Sequence, residues 1–229
     1  MLVAYLDETY LKNKEHALIA FVVPANEIHC LETDLNALVA KARKQHDGLP
    51  ENVELHGYEL SGGENDWENI PPRARSRIYK EAIDLITQVD GAFMCRGSVD
   101  LATRSPGDAH EWALKIALEC VNSASGKRSE KVIGICDDVG NKSVYQSMYA
   151  HARVHGTGGR FPQYLENFTD GLHFTPSCHS RLVQAVDLLS YVYRRKKINP
   201  FNDPRARNVI DDCWARMLPL IAEGNARTW

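Results

Sequence analysis

Three carboxylates set in or at the end of apolar runs constrain this chain more than any other feature. Leu2-Val3-Ala4-Tyr5-Leu6 ends in Asp7-Glu8, Val132-Ile133-Gly134-Ile135-Cys136 ends in Asp137-Asp138, and Asp187 interrupts the apolar stretch from Leu182 to Leu189. Taking a carboxylate out of water is costly unless it is paired, hydrogen-bonded or bound to a cation. Short continuous apolar runs suit strands buried on both faces. Acids at the ends of two such strands, joined by a third from a helix, converge most simply at one edge of a sheet. That arrangement points to a divalent metal site.

The rest of the pattern supports a sheet covered by helices. Residues 2–7 and 16–23 read as strands joined by the polar connection Leu11-Lys12-Asn13-Lys14-Glu15, short enough for an antiparallel hairpin. From Asn26, a plausible N-cap, to about Gln45, Ile28, Leu31, Leu35, Leu38 and Val39 recur at helical spacing. Val53 to Gly57 reads as a short extended piece, and the polar, glycine-containing stretch Ser61 to Asp66 as a loop. Helices are expected from Pro71 or Pro72 to Val89, from Asp108 to Val121, from Asn141 to His155, from Ser180 to Lys197, and from Asn208 to Ala222, with Pro219 distorting the last one's end. Strands are expected over 91–101, 131–137 and 171–174, with a turn at Ser123 to Arg128 and a flexible connector at Gly156 to Gly159. An early strand pair followed by alternating helices and strands is an α/β architecture with a mixed β-sheet.

Composition narrows the function classes. A length of 229 residues without repeat or linker fits one domain, and a net charge of -3 argues against a surface coated in positive charge for indiscriminate nucleic-acid binding. Asp7 and Glu8 interrupt the first apolar run, so a signal peptide is not expected, and no run approaches the roughly 20 apolar residues of a membrane span. The expectation is a soluble, cytoplasmic protein. The six cysteines are scattered without a C-x-x-C pair, which disfavours a disulfide framework or zinc ribbon. His173, Cys178 and His179 lack a fourth ligand at suitable spacing for zinc. There is no Gly-x-Ser-x-Gly elbow, and the glycines at 156–159 lack the lysine of a P-loop.

Asp7, Asp137 and Asp187 are therefore the first three candidate ligands for Mg²⁺ or Mn²⁺, ions that prefer hard oxygen donors. Glu54 is the fourth, in an extended segment where His56 falls on the same side and is placed to orient a ligand or shuttle a proton. Two ions about 4 Å apart would activate a water and stabilise the leaving oxygen in phosphodiester cleavage. Along the helix carrying Asp187, Ser180 and Gln184 lie on the same polar line, and Arg194 falls roughly 10 Å further on at about 1.5 Å per residue. These three are candidate substrate contacts. Arg73, Arg75 and Arg77 either meet phosphates or solvate the start of a helix.

Tyr5-Leu6-Asp7-Glu8-Thr9, Glu54-Leu55-His56, Cys136-Asp137-Asp138, and Ser177 followed by Ser180-Arg181-Leu182-Val183-Gln184-Ala185-Val186-Asp187 resemble, in order and spacing, the microbial family called domain of unknown function 3800. The resemblance covers most of the chain and implies a ribonuclease H-like fold, a mixed β-sheet flanked by α-helices. It implies a single domain over 1–229, with a helical insertion near 26–46 and a C-terminal helical extension. It further implies a metal-dependent nuclease site at Asp7, Glu54, Asp137 and Asp187. Thr9-Tyr10 stands where the family more often has Ser-Gly, and Val186 where it usually has Ala; these differences bear on substrate shape before they bear on the acids. The alternative expectation is a non-catalytic module of the same fold that binds nucleic acid or a protein partner, in a mobile-element or defence system.

Overall fold

In the computed structural model, residues 1–102, 106–158, 162–198 and 203–228 are described. The first apolar run extends beyond its expected end into β1 (Leu2–Leu11), because Thr9 and Leu11 continue its buried alternation past Asp7. Asn13, at φ 58°, makes the tight turn that returns the chain as β2 (Glu15–Pro24). The two strands pair antiparallel from Leu2 opposite Pro24 to Leu11 opposite Glu15.

Helix α1 (Ile28–Gln45) follows, capped differently from the expectation. Asn26 bonds the Glu27 side chain, and Glu27 occupies the cap position without a side-chain hydrogen bond. A short α2 (Gly57–Gly62) lies where part of a loop was expected, and α3 (Pro72–Thr87) opens on proline as the sequence predicts. After β3 (Phe93–Asp100), α4 (Pro106–Lys127) runs through the stretch expected to turn. Ala124 and Ser125 are buried there, so tertiary packing overrides the weak helix propensity of the serines.

The chain continues through β4 (Val132–Asp137), α5 (Lys142–His155), β5 (Phe168–Thr175), α6 (Arg181–Lys197), α7 (Pro204–Glu223) and β6 (Ala226–Thr228). Helix α7 continues past Pro219 to Glu223. The C-terminal stretch is more than a helical extension, since β6 rejoins the sheet beside β3. The expected connector at 156–159 falls partly outside the described residues, because 159 is not among them.

The result is an α/β fold: a six-stranded mixed sheet ordered β5-β4-β1-β2-β3-β6 with helices on both faces. β1, β2 and β3 run antiparallel in turn, whereas β4 is parallel to β1 and β5 to β4. Strand alternation separates two cores. Val3, Tyr5, Ile19 and Phe21 face α1, α3, α6 and α7, and α1 is built into this core through Leu31, Leu35 and Leu38. Leu2, Ala4, Leu6, Leu18 and Ala20 face α4 and α5. No helix among the described residues is long and apolar enough to cross a membrane.

Candidate metal centre

Register and alternation bring the acids together. Leu6 of β1 pairs with Cys136 of the parallel strand β4, so the next residues, Asp7 and Asp137, sit side by side where that pairing ends, Asp137 as the last residue of β4 and Asp7 within β1, which runs on to Leu11. Both continue the row of Tyr5 and Ile135 and so point toward the α6 side of the sheet. Helix α6 crosses that face and brings Asp187 over the strand ends. Asp7, Glu54, Asp137 and Asp187 line one cleft of about 270 Å³, together with Glu8, His56, Ser177 and Gln184.

The segment carrying Glu54 is extended, as its sequence predicts, but it joins no sheet. Side chains of α6 take the place of a neighbouring strand. Arg181 Nη1 donates to Val53 O at 2.9 Å, Leu55 N donates to Gln184 Oε1 at 3.1 Å, and Gly57 N donates to Asp187 Oδ2 at 2.6 Å. Residues 181, 184 and 187 lie along one helix face at three-residue spacing, and alternate residues of an extended chain present their polar groups to one side. Trp67 Nε1 donates to Glu54 O at 3.0 Å from the far side. Gln184 also donates to Ser177 O at 2.8 Å, and Ser177 Oγ donates to Glu54 Oε2 at 2.8 Å, so the buried Gln184 ties two loops to the helix.

Gly57 permits this close approach. A Cβ there would stand 2.7 Å from Tyr191 Cβ, well inside van der Waals contact. Gly57→Ala should therefore push the 53–57 segment off α6 and destabilise the fold by about 1–3 kcal/mol, the usual range for overpacking. Chemical denaturation measures it; an unchanged midpoint would show that the segment has room to shift.

Electrostatics mark the acids as short of positive charge. The pKa of Asp7 is raised well above the usual carboxylate range, by burial first and then by the charge of Asp187. Burial also raises Asp187 and Asp137, against the Gly57 N–H on the first and the Asp138 and Ser177 N–H groups on the second. Asp7 Oδ2 and Ser190 Oγ are both buried without a well-formed hydrogen bond, although the Ser190 hydroxyl lies close enough to Asp7 to hold its pKa down in part. A buried carboxylate oxygen without a donor is costly, and a cation in the cleft would relieve it. The residues present fit Mg²⁺ or Mn²⁺: four carboxylates, no thiolate, and a buried Asp7 oxygen without a well-formed hydrogen bond.

The other expected site residues divide. His56 lines the cleft, with Nε2 3.8 Å from Asp187 Oδ1 and Nδ1 3.5 Å from Glu59 Oε1. Ser180 instead caps α6, accepting from Val183 N at 3.2 Å, and the cleft-lining hydroxyl is that of Ser177. Arg194 lies outside the cleft lining, its guanidinium 5.3 Å from the centre of the Tyr191 ring. Arg73, Arg75 and Arg77 line a separate groove of about 680 Å³ between α3 and α7. His173 pairs with Asp170 at 3.0 Å.

Among the described residues, the one group whose three ligand atoms lie within 4.8 Å of one another is Glu8, His16 and His110. No three of the four acids bring ligand atoms that close to one another. The sequence reading passed over both histidines. His110 interrupts the buried row Ala109, Ala113, Leu114 and Ala117 of α4, which was the available signal. No family model, curated protein or solved structure matches the chain. The function must therefore be argued from the cleft.

Proposed function

We propose that this protein is a divalent-metal-dependent nuclease of ribonuclease H-like fold that hydrolyses phosphodiester bonds in RNA or DNA. The observation that carries the reading is the cleft itself: four carboxylates from four separate segments, one of them the buried Asp7, whose Oδ2 lacks a well-formed hydrogen bond. A mixed sheet with two of those acids on adjacent parallel strands, where the pairing of the two strands ends, supports the fold assignment.

Asp7, Glu54, Asp137 and Asp187 would hold Mg²⁺ or Mn²⁺, as two ions. So bound, the ions supply Lewis-acid activation of water and neutralise charge on the transferring phosphate. Asp7 and Asp137, fixed by strand ends, set the rigid side of the site. Asp187 and Glu54 form the other side, their orientation held by Gly57 N and Ser177 Oγ. His56 is partly exposed and can hold a proton at Nε2 beside Asp187, ready to exchange it with solvent. Gln184 is a positioning residue, since both ends of its amide are taken by Leu55, Arg181 and Ser177.

The phosphate backbone would find positive charge along the groove lined by Arg73, Arg75, Arg77, Lys80 and Arg205, part of which Glu81 and Asp203 offset by pairing with Arg77 and Arg205. Ser61 of α2 also lines this groove, and α2 begins at Gly57 beside Asp187. A panel of single-stranded RNA, single-stranded DNA, duplex DNA and RNA–DNA hybrid, incubated with Mn²⁺, Mg²⁺ or EDTA, tests the reading. Cleavage of at least one substrate with metal and none with EDTA is expected. Absence of cleavage from every substrate with either metal would oppose it.

A further inference from the structure

On the opposite face of the sheet, one residue beyond Asp7, a second cluster has different chemistry. Glu8 continues the row of Leu2, Ala4 and Leu6, and in the hairpin register Tyr10, two residues on, lies opposite His16. Glu8 and His16 thus stand diagonally across β1 and β2 on the α4 face. Helix α4 lowers His110 onto them. His110 Nδ1 lies 2.9 Å from Glu8 Oε2 and 3.2 Å from His16 Nε2.

Those contacts conflict if the three groups bond only to one another. An imidazole nitrogen carries either one in-plane proton or one lone pair. His110 Nδ1 faces a carboxylate that wants a donor and a ring nitrogen that also points at it. One of the two is left poorly served. An ion that draws a lone pair from each of the three atoms removes the conflict.

The spacing is within reach of a tetrahedral ion. Ligand bonds of about 2.0–2.1 Å at tetrahedral angles place donor atoms about 3.3 Å apart. The observed 2.9 and 3.2 Å separations need a slight opening, and the Glu8–His16 pair, within 4.8 Å but without an ion-pair contact, must close. The His110 ring is held against Tyr145 with ring centres 4.5 Å apart, and His16 meets it edge-on at 5.2 Å. Two imidazoles and one carboxylate select a zinc-class ion over Mg²⁺, which prefers an all-oxygen shell. Three protein ligands leave a fourth position. Glu8 and His110 also line a cavity of about 130 Å³ shared with Asp7, Asp137 and Asp138.

We propose that Glu8, His16 and His110 bind a zinc-class divalent ion, with a coordination position open to that cavity for water or an anionic substrate oxygen. The site is loaded whether or not the acid cleft cleaves nucleic acid. Its ion would also tie α4 to the hairpin that carries Asp7, because its ligands come from β1, β2 and α4.

Titration of Co²⁺ into the untagged full chain, followed by visible absorption, tests it, because Co²⁺ in a low-symmetry site with nitrogen ligands absorbs strongly where the aqueous ion does not. The wild type is expected to saturate at one Co²⁺ per chain in that band. Asp187→Asn should keep the band, and His110→Ala should weaken Co²⁺ binding by at least about a hundredfold. His16→Gln provides the same test should His110→Ala fail to fold, with circular dichroism reporting the fold of each variant. A wild type without the band, or folded histidine variants that keep it, would overturn the proposal. So would loss of the band in Asp187→Asn, since the acids would then hold the ion. Failure of the cleavage panel alone would leave this site standing.

Discussion

Asp187→Asn should lower metal-dependent cleavage by at least about a thousandfold while leaving the protein folded. The magnitude follows from losing roughly 4 kcal/mol of charge stabilisation in the transition state, at about 1.4 kcal/mol per factor of ten. The fold should survive because an asparagine Oδ1 can still accept the Gly57 N–H that clamps the 53–57 segment. Asp7→Asn should behave alike in activity. The assay is single-turnover cleavage of whichever substrate the panel identifies, with circular dichroism to establish the fold. Folded variants of Asp7 and Asp187 that retain wild-type cleavage would remove the cleft from the chemistry.

Stability should move in the opposite direction. In EDTA near neutral pH, Asp7→Asn is expected to be more stable than the wild type. The native pKa of Asp7 lies well above its ordinary 3.8, so the native state binds the proton more tightly than the unfolded chain. Stability therefore falls as pH rises through the window between the two values, and the full penalty is present above it. Asparagine carries no such penalty, and its amide can donate to neighbouring carboxylates. Relief of a buried unpaired charge is of order 1–3 kcal/mol, or about 2–4 °C of melting temperature per kcal/mol at this chain length.

The difference should shrink as pH falls and vanish below the ordinary 3.8, where the wild-type acid is protonated in both states. Saturating Mn²⁺ should narrow the gap, since binding to the native state at a hundred times the Kd contributes about 2.7 kcal/mol to the wild type and only about 1.4 kcal/mol to a variant that binds tenfold more weakly. Scanning calorimetry of both proteins with EDTA and with Mn²⁺ reads both effects. Equal melting temperatures in EDTA would show that the Asp7 charge is already compensated.

What could be read from the sequence was what periodicity and local chemistry encode. The apolar runs before Asp7 and Asp137 suit strands buried on both faces, and they form parallel neighbours inside the sheet, although β1 runs on past Asp7 to Leu11. Asp187 was legible because a carboxylate among Leu182, Val186, Leu188 and Leu189 needs a polar destination. Strand β6 was not, since three residues carry no periodicity and Ala226–Thr228 become a strand only by meeting β3. Helix α2 was hidden by Gly62 and Gly63, the latter ending it in the left-handed conformation at φ 76°.

Side-chain division of labour also lay beyond local pattern. Ser180 and Ser177 are three residues apart, yet the first caps α6 and the second reaches Glu54. That difference depends on where β5 ends and α6 begins in space. The convergence of Glu8 and His16 with His110, 94 positions beyond His16, is a property of the α4 packing angle and has no trace in spacing along the chain.

The most direct test of the acid cleft is the loss of the free Mn²⁺ paramagnetic resonance signal on adding protein. Wild type and His110→Ala should sequester Mn²⁺ alike, whereas Asp7→Asn and Asp187→Asn should bind it at least about tenfold more weakly. Folded Asp7→Asn and Asp187→Asn proteins that bind Mn²⁺ as tightly as the wild type would contradict a metal centre at these carboxylates.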